Sequence, residues 1–490
     1  MLYYYPMAAQ THVDFGGIIR PSGELDTATA LQPYRGRLDE RLAAHLLRRA
    51  GFGGTPDEIR RFAALSLDDA VESMIRYPNT AALPGPNVYD RRPAVEQLRF
   101  LRGRSDEFKA ALKEVIRNEH ESLSGMRLWW MNRMLATPAP LQEKMTLYWH
   151  GHFTSYVDFS SLTYGQNQLF RQYALGNIRA LTHDVSKDGA MLIYLNNDTN
   201  VASHPNENYA RELMELFTLG VGHYSEDDVR ESARAWTGWR LNRITQEIFF
   251  DPRRHDDGLK TFLGQSGDLN GDDVVDIIFS QPQCARFLAT GLLNFFVYND
   301  PEPELVDGVA ALLRKHDYEL APVMSAILRS NVFFSERAYR ALVKSPVEFV
   351  VGTYKALGLT QMDLSGVGAA AQMGQILFQP PNVAGWPGGQ NWLTSGTMIA
   401  RQNFVSRLTS TQTLAQSSWL SGVAMQPRQA AHEVLEAVLQ GDAAPASHFQ
   451  LEAMLAGASS SALGALSAEN YPQRVSEAVA LAMAMPAFQL

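Results

Sequence analysis

The chain has 490 residues, of which 46% are hydrophobic and 19% charged, and its net charge of -9 comes from 52 carboxylates against 43 basic side chains. This composition is typical of a globular protein with a sizeable core and excludes a largely disordered chain. The acidic balance argues against nucleic acid as a partner, because a phosphate backbone requires a concentrated basic surface.

The N-terminus and the hydropathy pattern indicate in which compartment the protein is expected. Residues 1–17 lack both the charged segment and the continuous apolar segment of a signal peptide. No apolar run reaches the roughly 20 residues that cross a bilayer, so no membrane span is expected. The single cysteine, Cys284, excludes an intrachain disulfide and is expected to pack in the core. The chain as given is therefore expected to be cytoplasmic.

Apolar residues recur at helical spacing over most of the chain. They predict helices at 39–50, 56–64, 67–76, 105–136, 141–150, 161–180, 206–219, 226–236, 272–279, 281–297, 303–315, 320–329, 346–357, 397–415 and 472–484. The segment 239–263 differs, since its alternating β-branched and aromatic residues predict a small β-hairpin. The sequence therefore predicts an all-α fold, with an N-terminal extension over 1–37 and one helical domain over 38–490, of which 425–490 is a candidate for looser packing.

Residues 204–239 carry a high density of charged side chains on two predicted helices. Glu207, Arg211 and Glu215 recur every four residues, so they share one helix face and the arginine can pair with both carboxylates. One interpretation is structural, because such a ladder ties neighbouring helices together without catalysis. Glu212 lies about 100° from Arg211, where burial would raise its pKa. The catalytic hypothesis assigns Glu212 or Glu207 as acid or base and Arg211 as the holder of a charged substrate group.

Three histidines are candidate ligands of a divalent metal, the one cofactor that the sequence suggests. His150 and His152 stand two apart in the segment YWHGHF, where Gly151 would end a helix and let both side chains converge. Glu143 lies two helical turns before His150 and would orient it. His255, on the loop that leaves the hairpin, would be the third ligand. The alternative is that all three are packing residues, the more frequent role of a histidine on a helix.

Residues 365–391 are rich in Gly, Pro, Asn and Trp and predict a long ordered loop. Trp386 and Trp392 would stack on a sugar ring, and Asn382 would bond its hydroxyls. Lys344, in the segment LVKSPVEF, would reach the same polar centre. The alternatives are a rigid plug that seals the core, and for Lys344 an ordinary helix start with proline at its first position.

Six sequence blocks carry a resemblance to a known family. They read, in chain order, AAHLLRRAGFG, EKMTLYWHGHF, the charged segment 204–239, HDDGLKTFLGQSG, LVKSPVEFVVG and PPNVAGWPGGQNWL. In this order they resemble the bacterial "domain of unknown function 1800" family. The resemblance implies a largely helical protein, often exported, whose gene commonly lies beside one for a protein of the alkaline phosphatase and sulfatase type. It brings no established catalytic residues.

These features support two functional hypotheses. The first is a hydrolase, glycosidase-like or metal-assisted, that acts on a small polar, carbohydrate-containing or anionic substrate in a His/Glu-lined cleft. The second is a non-catalytic helical scaffold or a binding partner of a phosphatase- or sulfatase-like protein. A serine nucleophile elbow, a P-loop and a dinucleotide-binding fingerprint are absent from the sequence. The two hypotheses differ in geometry, because the enzyme requires the candidate histidines and Glu212 to line one cleft.

Overall fold

The structure is a computed structural model that describes residues 26–78, 80, 83–103, 105–410, 416–417, 419–457 and 466–490. Residues 1–25 of the predicted N-terminal extension lie outside the described residues.

Within the described residues the chain is mostly helical, with two small two-stranded sheets, which confirms the all-α prediction. The helices are α1 (Glu40–Arg49), α2 (Pro56–Ala63), α3 (Leu67–Ile75), α4 (Arg92–Phe100), α5 (Ser105–Ala136), α6 (Pro140–His152), α7 (Ser160–Gln172), α8 (Ile178–Ser186), α9 (Gly189–Tyr194), α10 (Glu207–Glu212), α11 (Glu226–Ala235), α12 (Gly271–Ser280), α13 (Pro282–Phe296), α14 (Pro303–Lys315), α15 (Leu320–Arg329), α16 (Pro346–Ala356), α17 (Leu364–Gln372), α18 (Ser395–Leu408), α19 (Pro427–Leu439), α20 (Pro445–Leu455), α21 (Tyr471–Ala484) and α22 (Pro486–Gln489). A π-helical segment, Leu213–Thr218, continues α10, and short 3₁₀ turns lie at Asn197–Thr199, Pro252–Arg254, Gly389–Trp392 and Leu420–Gly422. None of the described helices is both long and apolar enough to cross a membrane.

Helices α4 and α9 lie where the sequence predicted no helix, and two predicted segments also differ from the structure. The predicted helix 161–180 is two helices, because the side chain of Asn177 accepts a hydrogen bond from the Ala180 amide and starts α8 anew. The predicted loop 365–391 contains α17, which Asp363 caps by accepting a hydrogen bond from the Ser365 amide at 2.9 Å. The run of alanines in α17 is a strong helix former and outweighs its two glycines.

Two small antiparallel sheets lie between α11 and α12. β1 (Trp239–Leu241) pairs with β2 (Ile248–Phe250), with Trp239 opposite Phe250. β3 (Lys260–Phe262) pairs with β4 (Gln265–Gly267) across a two-residue turn in which Leu263 and Gly264 both have positive φ, as a tight hairpin requires. The predicted hairpin is therefore present, and a second hairpin follows it.

The described helices pack into two apolar cores. The first joins α1–α3 with α6–α15 and includes Cys284, which is buried as predicted. The second joins α5 with α16–α22. The single domain over 38–490 stays a prediction.

Helix α6 belongs to both cores. Met145 and Trp149 pack in the first core and Leu147 in the second, and every residue from Leu141 to His150 is buried. A helix that is surrounded on all sides has no solvent face for polar residues, so its polar side chains must find partners inside the protein or line a cavity. The candidate site lies at the C-terminal end of this helix.

Candidate functional site

A cleft of about 460 Å³ opens where the end of α6 meets the loop that follows α17. It brings together four of the six sequence blocks, and its lining includes Arg49, Tyr148, His152, Asn294, Asn299, Ser345, Glu348, Gln375, Trp386 and Trp392. We call it the tryptophan cleft. Its volume lies within the roughly 300–1,000 Å³ of small-molecule sites, and several polar groups converge on an aromatic wall, as in such sites.

Gly385 lets the tryptophan loop lie directly against the end of α6. Gly385 has φ of 87°, and a Cβ atom there would collide with the carbonyl oxygen of Gly151. A Cβ on Gly151 would in turn lie 3.8 Å from the ring of Trp386. The loop places Trp386 half-buried and Trp392 fully buried at the cleft. The aromatic wall therefore depends on this backbone approach.

His152 is the histidine that α6 presents to the cleft. Its Nε2 lies 2.8 Å from the carbonyl oxygen of Phe217, which only accepts hydrogen bonds, so Nε2 carries the hydrogen and Nδ1 is left as an acceptor. Burial lowers the pKa of His152 to about 4, against the opposing effect of the Phe217 carbonyl. The imidazole is therefore neutral at physiological pH and has a basic nitrogen that its backbone bond does not use.

Two hydrogen-bond donors at the cleft have no protein partner. Tyr148 Oη and Trp386 Nε1 are buried, and neither bonds to another atom of the described residues. Gly291 makes room for the tyrosine, since a Cβ there would lie 2.6 Å from its hydroxyl oxygen. A buried donor without a partner costs about 1–3 kcal/mol. Other such donors occur in the core, but Tyr148 and Trp386 are residues that also line the cleft.

Glu348 lies at the polar end of the cleft. It receives a hydrogen bond from Lys144 Nζ, and Arg49 Nη1 lies 3.8 Å from its Oε1. Burial favours the neutral acid, but the charges of Lys144 and Arg49 outweigh it and lower the pKa of Glu348 to about 2. The carboxylate also accepts from the Ser345 amide at 2.8 Å and so caps α16. The Glu348 carboxylate is therefore ionised at neutral pH and already bound.

The charged segment 204–239 lies away from this cleft. Arg211 bonds Glu207 at 3.2 Å and both oxygens of Glu226 at 2.8 Å on the surface. The predicted pairing of Arg211 with Glu215 is wrong, because the π-helical turn adds a residue after α10, and Glu215 instead accepts from Tyr224 at 2.7 Å.

Glu212 has the pKa direction that the sequence suggested. Burial, with the nearby charge of Glu215, raises its pKa. However, none of Glu207, Arg211 and Glu212 lines the tryptophan cleft.

The three histidines predicted to share a metal lie in different environments. His150 is buried beside Phe170, 3.1 Å from Asn167 Nδ2, and burial lowers its pKa to about 3. His255 Nδ1 lies 2.8 Å from the carbonyl of Thr237, close to the ring of Phe250. In the part of the chain that the structure describes, no group of three His, Cys, Asp or Glu side chains suits a metal ion. This geometry does not support the predicted metal site.

Glu143 does not orient His150 as predicted. It is fully buried and accepts hydrogen bonds from Arg171 at 2.8 and 2.9 Å, from Arg133 at 2.5 Å and from Trp130 Nε1 at 2.9 Å. These partners lie on α5 and α7, so the carboxylate ties three helices together.

The predicted substrate-binding residues divide into two groups. Trp386 and Trp392 line the cleft together, as predicted from their loop. Asn382 does not line it, because its Oδ1 accepts from the Ala384 amide at 2.9 Å and shapes the turn. Lys344 is buried in an adjoining cavity, where its Nζ donates to the carbonyl of Phe488 at 2.5 Å.

The sequence did not identify several of the residues that line the tryptophan cleft. Tyr148 carried a signal, since it precedes His152 by four residues and so shares its helix face, and the two rings lie 5.7 Å apart. Glu348 carries a sequence signal too, since it stands in the segment LVKSPVEF four residues after Lys344, from where both could reach a common polar centre. Asn294 and Asn299 had no sequence signal, because they lie near the end of α13, which had been predicted only as a core helix.

Comparison with known proteins gives one match. The family model described as a protein of unknown function (DUF1800) matches residues 45–490. No curated protein and no solved structure matches the chain.

Proposed function

The chain belongs to the DUF1800 family, whose description gives no function, and we propose from the tryptophan cleft that this protein is a hydrolase that cleaves an acyl ester on a carbohydrate-type substrate. One observation carries the proposal: a neutral histidine and two unpartnered hydrogen-bond donors, Tyr148 Oη and Trp386 Nε1, belong to the same cleft. A base and a pair of donors are the two components that ester hydrolysis requires.

The cleft suits a hydroxyl-bearing ring. The half-buried Trp386 offers apolar surface for stacking and is backed by the buried Trp392. The amides of Asn294, Asn299 and Gln375 offer donors and acceptors for hydroxyl groups. An adjoining groove of about 790 Å³ shares His152 and Asn294 with the cleft. A substrate longer than one ring therefore has room to extend.

The proposed reaction uses His152 as general base. Its Nδ1 removes a proton from a water molecule, and the water oxygen attacks the ester carbonyl carbon. The carbonyl oxygen becomes an oxyanion that accepts hydrogen bonds from Tyr148 and Trp386. The bond from carbon to the sugar oxygen then breaks, and the imidazolium returns the proton to that oxygen, which leaves a free acid and a sugar hydroxyl.

An ester fits better than a glycoside. Glycoside hydrolysis usually requires a protonated carboxyl group that donates to the leaving oxygen. Glu348 lines the cleft, but its pKa of about 2 keeps it ionised, and its oxygens are bound by Lys144 and the Ser345 amide. Ester hydrolysis by a neutral histidine requires no such acid.

The alternative is non-catalytic binding, either of a glycan or as a scaffold for a phosphatase- or sulfatase-like partner. The dispersal of Glu212, His150 and His255 favours it, because the hydrolase hypothesis drawn from the sequence required them to line one cleft with His152, and His152 alone of the four lines the tryptophan cleft. Unpartnered donors would serve a bound ligand equally well without a reaction.

The test is acetate release from 4-nitrophenyl acetate and peracetylated glucose by the full chain. We expect His152→Ala to lower the rate by about 10²–10⁴, and Tyr148→Phe and Trp386→Phe, which keep the ring and remove one donor, by about 10²–10³ each. The rate should rise with pH near the His152 pKa of about 4 and be flat at neutral pH.

The matched control is His204→Ala, since His204 is exposed and its side chain bonds its neighbour Ser203 at 3.3 Å. It should keep the wild-type rate. Glucose binding without ester cleavage would replace the hydrolase with the binding function, whereas cleavage of 4-nitrophenyl glycosides would contradict the ester assignment.

A further inference from the structure

A second, smaller cavity adjoins the tryptophan cleft and shares Arg49 and Glu348 with it. Its charged lining consists of Arg48, Arg49, Arg340, Lys344 and Glu348, and we call it the basic cavity. Its volume is about 40 Å³, which exceeds the roughly 10–15 Å³ that one water molecule requires. The cavity therefore has room for a small ion or a few water molecules.

The positive charges of the basic cavity are incompletely neutralised. Glu348, its lining carboxylate, is already bound by Lys144 and faces Arg49. Arg48 bonds the side chains of Gln440, at 2.9 Å, and Tyr339, and the charge of Asp442 acts on it from nearby. Lys344 bonds the Phe488 carbonyl at 2.5 Å. Neither Arg48 nor Lys344 forms an ion pair with a carboxylate of the described residues. Removing a cation from water without a counter-charge is unfavourable.

The same two cations have donors to spare. Arg48 Nη2 is buried and has no partner in the described part of the chain. Lys344 Nζ has three hydrogens, and the Phe488 carbonyl takes one of them. Burial, together with the charge of Arg340, lowers the pKa of Arg48 to about 10, and burial with the neighbouring arginines lowers the pKa of Lys344 further from its ordinary value. Both groups would be stabilised by an anion.

His45 indicates which kind of anion would fit the basic cavity. It lines the cavity, and because its Nε2 donates to the Phe333 carbonyl at 3.0 Å, its buried Nδ1 is an acceptor without a partner. An anion that retains a proton can donate to this nitrogen. Hydrogen phosphate has such a proton and sulfate does not.

We propose that the basic cavity is a binding site for hydrogen phosphate, held by Arg48 and Lys344 with His45 as acceptor. This site is separate from the proposed hydrolase function, since these three side chains do not line the tryptophan cleft.

The test is equilibrium dialysis of the full chain against radiolabelled inorganic phosphate at constant ionic strength in sodium chloride. We expect saturable binding of one phosphate per chain, weakened about tenfold to hundredfold in Arg48→Gln and in Lys344→Gln, since each loses a charged hydrogen bond. Arg61→Gln, on the exposed side of α2, is the matched control and should bind as the wild type does.

Thermal unfolding of each variant shows whether it is folded, and Arg48→Lys, which keeps the charge, replaces Arg48→Gln if that variant does not fold. Absence of saturable binding to the wild type would overturn the proposal, and so would wild-type affinity in both cavity variants. Sulfate binding as tight as phosphate binding would contradict the role of His45.

Discussion

Two clusters of glutamate and arginine have the same chemistry and opposite environments. Glu143 on α6 accepts from Arg133 and Arg171 in the interior, where none of the three side chains is more than 7% exposed. Arg211 on α10 binds Glu226 at the surface, where the carboxylate is 66% exposed. The surface cluster stands out in the sequence because Glu207, Arg211 and Glu215 recur every four residues, although Glu226, which Arg211 binds, is 15 residues away. The partners of Glu143 are 10 and 28 residues away and are not part of such a repeat. A dense run of charged residues in the sequence thus shows only that they are neighbours along the chain. Their burial determines how much they contribute to the free energy of unfolding.

The largest expected effect is in the buried cluster. Glu143→Gln keeps the size of the side chain but leaves Arg133 and Arg171 buried without their counter-charge. We expect the free energy of unfolding to fall by about 3–5 kcal/mol. Urea unfolding followed by circular dichroism measures it, and a loss below about 1 kcal/mol would show that the arginines find other partners.

The pH dependence of stability tests the same interior. The pKa of His150 is about 3 in the folded protein, because burial disfavours its charge, and 6.5 is the ordinary value. As the pH falls below 6.5, the unfolded chain binds a proton that the folded protein does not, so stability decreases towards pH 3. At pH 5 this difference in proton binding at His150 lowers the free energy of unfolding by about 2 kcal/mol.

His150→Gln should therefore make the stability of the protein less dependent on pH between 6.5 and 4.5, as measured by urea unfolding at several pH values. His204→Gln is the matched control, since His204 is exposed, and it should leave the slope unchanged. Equal slopes in the wild type and His150→Gln would mean that His150 is not held neutral.

A smaller effect is expected at the contact between the tryptophan loop and α6. Gly385→Ala would strain a residue with φ of 87° and push the loop off the Gly151 carbonyl, which displaces Trp386. We expect sugar binding in the tryptophan cleft to weaken about tenfold, or roughly 1.4 kcal/mol. Tryptophan fluorescence titration with glucose measures it.

Gly388→Ala is the control for this variant, because Gly388 has φ of -108° and open space where its Cβ would lie. It should bind as the wild type does. Equal weakening in both variants would attribute the effect to loop flexibility rather than to the contact.

Sequence periodicity predicted the helical fold, because amphipathic spacing is a local property of each segment. It did not predict α17, whose glycines suggested a loop, or the π-helical turn after Glu212, which depends on packing beyond the helix itself. At the site, local sequence singled out the tryptophan loop, and it singled out His152 as a metal ligand, a role that the geometry of the described residues does not support. The donor pair of Tyr148 and Trp386 was not, since an unpartnered donor is defined by what surrounds it in three dimensions.

The smallest expected effect is in the surface cluster. Arg211→Gln removes the cation that joins Glu207 to Glu226, but these carboxylates are 41% and 66% exposed and water replaces the lost bonds. The urea midpoint of Arg211→Gln should remain within experimental error of the wild type. The difference in unfolding free energy between Arg211→Gln and Glu143→Gln then measures how much burial increases the contribution of a glutamate–arginine pair. If Arg211→Gln lowered the free energy of unfolding as much as Glu143→Gln does, the charged segment would have to be covered by a partner or by another part of the protein. The segment would then be a candidate interaction surface.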